Sequence, residues 1–207
     1  MPSKVDLANE SLRLLGATRI TAFDNGTKNA NVVTDLYDET RLELLQFPWN
    51  FAGSRVKLAQ LLAAPAFGFD HAYALPADWV YTVSAHNNDA GSGTILYREE
   101  LQDDQNVLVS NADDIYLRYV FNLEDPNRMS AKFRKALVAT LARDMCIAIT
   151  NSNTLEEKLE DRAKKALRKA KSSDGIQSFP EQRPTGSWRN SRNGGGRTNG
   201  NDMNFSN

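Results

Sequence analysis

The sequence predicts an α+β fold that is mainly α: an antiparallel helix bundle carrying an inserted small antiparallel β-sheet and an extended C-terminal tail. Three observations predict it. Apolar residues recur at helical spacing up to residue 47 and again after residue 130, and the period falls to two between them. Beyond Gly175 the composition turns polar and rich in Gly, Asn and Arg, a mixture too poor in apolar surface to fold alone. The chain accordingly divides into an N-terminal helix pair (1–53), an inserted β region (54–122), a C-terminal helix pair (123–174) and a tail (175–207) expected to dock on a partner.

In the first helix, Ser3 is placed as N-cap, Val5, Ala8, Leu12 and Leu15 form the apolar stripe, and Gly16 follows as the left-handed terminator. The second carries Ala30, Val33, Leu36, Tyr37, Leu44 and Phe47 on one side and Asp35, Asp38, Glu39 and Glu43 on the other. Pro48 lacks the N–H that another turn needs, so the helix stops there. In "LLQFPWNFA" three large aromatics, Phe47, Trp49 and Phe51, gather around that stop. With Pro48 they are expected to form a hydrophobic plug closing the end of the bundle against the sheet. The other reading is an exposed contact for a partner subunit.

Strand period is clearest in "DDIYLRYVFN", which puts Ile115, Leu117, Tyr119 and Phe121 on one face and Tyr116, Arg118, Val120 and Asn122 on the other. "RVKLAQL", "WVYTVSAH", "TILYRE" and "NVLVS" read as shorter strands, separated by the turn-forming "NNDAGSG", "QDDQ" and "NADD". Helical period then returns with Ser130 as a cap and Phe133, Leu137, Val138, Leu141, Met145 and Ile149 as a stripe. In the last helix Thr154 and Glu157 fit a capping box, and Leu155, Leu159, Ala163, Ala166, Leu167 and Ala170 face inward.

Of 207 residues 41% are hydrophobic, and 25 Lys and Arg against 26 Asp and Glu give a net charge of -1, so no overall charge draws the chain to nucleic acid, membrane or acidic substrate. The basic residues are concentrated late, from Lys158 onward, where much of the charge reads as ordinary helix surface. In the tail, Phe179, Trp188, Arg189 and Arg192 are aromatic and cationic anchors of the kind that grip a partner surface. Cys146 is the single cysteine, which excludes an internal disulfide and suits a reducing compartment. The N-terminus has no apolar run of signal length and no stretch reaches the roughly 18 apolar residues of a membrane span, so a soluble, intracellularly made chain is expected.

Reactive chemistry is sparsely signalled. No Walker-type loop, H-E-x-x-H or paired cysteines occur, and "GSG" at 91–93 lacks the context of a dinucleotide turn. His71 and His86 read as loop or edge residues without a nucleophile motif beside them, Cys146 as a small core hydrophobe. Asp103, Asp104, Asp113 and Asp114 fall in turns that favour Asp for its local hydrogen bonds rather than as cation ligands. No catalytic, cofactor-binding or metal-binding residue is assigned, and the chain is read as not an enzyme.

Taken in order, "ANESLRLLGATRITAF", "LYDETRLELLQFPWNFA", "YALPADWV", "YVFNLEDPNRMSAKFRKALVATLARDMCIAIT" and "SWRNSR" resemble the head-to-tail adaptor proteins of tailed bacteriophages, the group called tail tubular protein A in short-tailed phages. The resemblance spans most of the chain and fails after Arg192. It implies a helical bundle with an inserted β region, assembled as a ring of twelve copies below the portal. The ring joins portal to tail tube, nozzle or other tail proteins and lets DNA pass through its lumen without sequence specificity or membrane contact. It also implies that Phe179, Trp188, Arg189 and Arg192 contact the portal, and that the protein resides in the virion after assembly in the host cytoplasm. Two other classes compete: a nucleic-acid-binding module acting through the basic C-terminal helix and tail, and a hydrolase using His71 or His86 with nearby carboxylates.

Overall fold

The computed structural model describes residues 1–177. They form a mixed α/β fold of four helices and two three-stranded antiparallel sheets. The helices are α1 (Lys4–Leu14), α2 (Lys28–Leu45), α3 (Ala131–Thr150) and α4 (Asn153–Gln177). Between α2 and α3 lie β1 (Gly53–Lys57), β2 (His71–Ala74), β3 (Trp79–His86), β4 (Tyr97–Gln102), β5 (Gln105–Ser110) and β6 (Tyr116–Phe121).

Local chemistry starts the helices. At α1, Ser3 and Asp6 form a reciprocal capping box, and these hydrogen bonds hold the Asp6 carboxyl below its ordinary pKa. Thr27 caps α2 through Ala30 N–H, and Ser130 caps α3 through Phe133 N–H. Gly16 takes φ +68° after α1, a conformation that disfavours any side chain. Two details depart from the sequence reading. Ser152, rather than Thr154, turns its hydroxyl to the first turn of α4, accepting from Leu155 N–H. That helix also continues through Gly175 to Gln177, because Asp174 is tied down by a tertiary contact with Asn50 that local propensity does not reveal.

The sequence predicts one small sheet; the structure contains two, ordered β1-β6-β3 and β2-β5-β4. The second depends on "HAYA", a strand of four residues whose Ala72 and Tyr73 are consecutively buried and so leave no alternating signature. β4 and β5 pair through Gln102 and Gln105, leaving Asp103 and Asp104 as a two-residue turn with φ of 48° and 60°. Tyr73 and Leu108 of one sheet share a core with Ala85, Leu117 and Tyr119 of the other. β6 keeps the half-buried alternation through Tyr119, with Leu117 and Tyr119 entering that core, and departs from it at Val120, which is buried on the other face among the helices.

Helix α3 is the hub on which α1, α2 and α4 pack. Ser11 of α1 donates to Val138 O, and Thr40 of α2 donates to Asp144 Oδ2, so polar groups inside the contact are satisfied. Arg41 goes further. Only 2% exposed, it donates to Asn122 Oδ1, to Leu123 O and to Asp38, joining α2 to the chain that leaves β6. Replacing it strips donors from buried acceptors and opens a void. Arg41→Ala is expected to lower the unfolding free energy by about 1 to 3 kcal/mol, read from the urea midpoint; a loss below about 1 kcal/mol, the range of a surface ion pair, would contradict this role.

Candidate functional site

Just after α2, three of the four residues predicted to plug the bundle, Phe47, Trp49 and Phe51, meet α3 or α4. Trp49 is 1% exposed, its ring 5.0 Å from Phe47, 5.4 Å from Phe51 and 5.1 Å from Phe133 of α3 between centroids. Phe51 and Phe133 are 5.0 Å apart. Such tilted and edge-on pairs set the positive rim of one ring against the negative face of another. The indole Nε1 donates to Leu44 O at 2.7 Å, satisfying a carbonyl that the end of α2 leaves unpaired. This explains three aromatics where a helix stops: Pro48 turns the chain, itself staying exposed, and Trp49 folds back to cap and bury what the turn uncovers.

Helix α4 clamps the arrangement from outside. The Lys171 ammonium lies 4.3 Å from the Phe47 ring centroid. Asn50 donates through its backbone N–H at 3.0 Å and its side-chain amide at 2.9 Å to Asp174 Oδ2, and again to Asp174 O. Burial raises the pKa of the Asp174 carboxyl, with the Asn50 hydrogen bonds opposing.

A second feature lies between α1 and α4, over α3. Here a groove of about 750 Å³ is floored by Leu14, Val138, Ala139 and Ala166. Its walls carry Lys132, Lys135, Lys158, Arg162, Lys165 and Lys169 against Glu10 and Asp161. Charge spacing on α4 was the available signal, but a helix face rich in Lys reads as solvated surface until α1 and α3 are seen to complete a concavity. On the opposite sign, Asp35, Asp38, Glu39 and Glu43 are exposed along α2, where Arg41 is turned inward.

The remaining candidates are dispersed. His71, opening β2, has Nδ1 2.8 Å from the Gln60 amide and Nε2 3.7 Å from Asp113. His86, closing β3, has Nδ1 3.1 Å from Gly93 O. Asp114 pairs with Lys57 at 2.8 Å. Cys146 is buried, its Sγ 3.4 Å from Thr150 Oγ1. Among the described residues no group of three or more His, Cys, Asp or Glu is placed to hold a metal ion, and no helix is long and apolar enough to cross a membrane. Phe179, Trp188, Arg189 and Arg192 lie outside the described residues. Neither a scan of protein-family models nor a search of curated proteins finds a match to the chain.

Trp49→Ala is expected to cost about 3 to 5 kcal/mol, seen as a fall in Tm far larger than that of the exposed-site control Gln46→Ala; equal melts would reject the buried aromatic junction. Asp174 gives a pH signature of defined sign. Its folded pKa lies above the unfolded value of 3.8, so between the two the folded chain keeps a proton that the unfolded chain has released. Its contribution to stability therefore falls as pH rises through that window. The stability of wild type minus that of Asp174→Asn should fall as pH is raised from 3.8 in urea titrations, and a value that rises would contradict the burial argument.

Proposed function

We propose that this chain is a structural head-to-tail adaptor of a tailed phage, a subunit of a ring below the portal that joins the capsid vertex to the tail and lets DNA pass. One observation supports the reading: among the described residues, segments on which the family resemblance rests hold each other in place. Trp49 of "FPWNFA" packs on Phe133 of "SAKFRKAL". Arg41 of "LYDETRLELL" donates to Asn122 and Leu123 of "YVFNLEDPN". Asp78 of "YALPADW" accepts from Tyr119 OH at 3.1 Å, and Asn9 of "ANESLRLL" exchanges hydrogen bonds with Ile20 N–H and O in the same segment.

Under this reading the helices form one mainly-α antiparallel bundle into which the strands are inserted. Residues beyond Gln177 extend to the portal, with Phe179, Trp188, Arg189 and Arg192 as the contact. The work is done by shape and surface; it calls for no catalytic group or cofactor. Partners are further copies in a ring of twelve, the portal above, tail proteins below and DNA in the lumen, and the place of action is the virion.

The basic groove favours a second reading, a nucleic-acid-binding module. Phosphate neutralisation would make its affinity for duplex DNA fall steeply with salt, whereas an adaptor holds free DNA weakly at any salt.

The adaptor reading predicts that the full chain co-sediments with purified portal rings. A chain ending at Gln177 should keep its cooperative melt and lose that co-sedimentation. Failure of the full chain to bind the portal would overturn the function; undiminished binding by the shortened chain would overturn the contact residues.

A further inference from the structure

We propose that the groove between α1 and α4 receives the acidic face of α2 from a second copy of the chain, so that subunits join head to tail. The cations of the groove outnumber the carboxylates beside them, six against Glu10 and Asp161. None of Lys132, Lys135, Lys158, Arg162, Lys165 and Lys169 has an ion-pair partner among the described residues, although Lys4, Arg13, Lys57, Arg143 and Lys164 elsewhere do. Like charges stand at helical neighbour spacing, Lys158 with Arg162 and Lys165 with Lys169, a repulsion within the helix that Asp161, between Lys158 and Lys165, offsets only in part. The same is true with opposite sign of Asp35, Glu39 and Glu43 on α2. Each helix tolerates a repulsion that an oppositely charged partner would relieve.

Shape and size agree with charge. The acidic residues from Asp35 to Glu43 cover about 12 Å at 1.5 Å per residue, and the cations from Lys158 to Lys169 about 16 Å, so one helix face spans the other. Half-buried Leu42 lies in the acidic stripe and can meet the aliphatic floor of Leu14, Val138, Ala139 and Ala166. A phosphate backbone would leave that floor unused, and among the described residues no aromatic side chain lines the groove to stack a base. Residues 178–207 are an unsuitable occupant, because Arg183, Arg189, Arg192 and Arg197 outnumber Glu181 and Asp202. The buried side of α2 is fixed in its own core by Val33, Tyr37 and Leu44, so its acidic face is presented outward, to another molecule.

Two different surfaces meeting in this way make a heterologous contact, which propagates into a ring when the rotation closes. Only that closure rests on the adaptor reading; the pairwise contact stands on the two charged faces. Sedimentation velocity of the full chain tests it. Wild type is expected to self-associate near 0.05 M salt and to weaken about tenfold or more near 0.5 M, beyond which screening is short-ranged. Arg162→Glu with Lys165→Glu should be monomeric and folded by circular dichroism, as should Asp35→Lys with Glu39→Lys. An equimolar mixture of the two variants should associate again, because each reversed face then meets its reversed complement. The proposal is overturned if wild type stays monomeric at both salts, if neither reversal weakens association, or if the mixture remains monomeric. It is also overturned if the groove variant loses duplex DNA binding while self-association is unchanged. Any of these leaves portal binding, the test of the adaptor reading, untouched.

Discussion

The return of Phe133 to Trp49, after the chain has built all six strands, is the contact on which the rest of the structure depends. Trp49 closes α2 by capping Leu44 O, and Phe133 opens α3, so a helix end and a helix start are made in one place. Burial of these rings excludes water from a junction that would otherwise expose helix-end backbone groups. Arg41 fastens the same two parts of the chain a few residues away, with its charge compensated by Asp38 and its remaining donors by Asn122 and Leu123. The β region is thereby anchored at both of its ends to the same helices. An insertion of that length would otherwise leave α2 and α3 to find each other against a large loop-closure entropy.

Periodicity made the helices readable, because each buries an apolar stripe and has Ser or Thr where the first N–H groups need an acceptor. The turn-forming stretch that follows His86 let the end of β3 be read as well. β2 was illegible: four residues between buried neighbours carry no period, and their strand character comes from pairing with β5. The outward extension of α4 through Gly175 is likewise set by Asn50, distant in sequence. At the candidate site, the aromatic junction could be foreseen from Pro48 and its flanking rings, while its polar parts could not. Nothing local to Asn50 and Asp174, or to Arg41 and Asn122, indicates that they face each other. The groove was hidden for a related reason, since its cations come from two helices and its floor from three.

Charge is partitioned on this molecule in a way its net value of -1 conceals. Along α2 the single cation after Lys28 is drawn inward, leaving carboxylates outside; around the groove six cations face two carboxylates. Folding accordingly converts an even mixture of charges into separate faces of opposite sign, which steer encounter and fix register between partners more than they add raw affinity. A protein whose core chemistry is aromatic packing and buried backbone contacts, and whose surface is electrically divided, suits a role as one member of a larger assembly.

The most direct test of that role is electron cryomicroscopy of purified phage particles encoding this chain. The account predicts density that fits residues 1–177 as a closed collar of copies between portal and tail, with Trp49 and Phe133 at the heart of each subunit. Particles lacking the chain at that junction, or carrying it elsewhere, would contradict it.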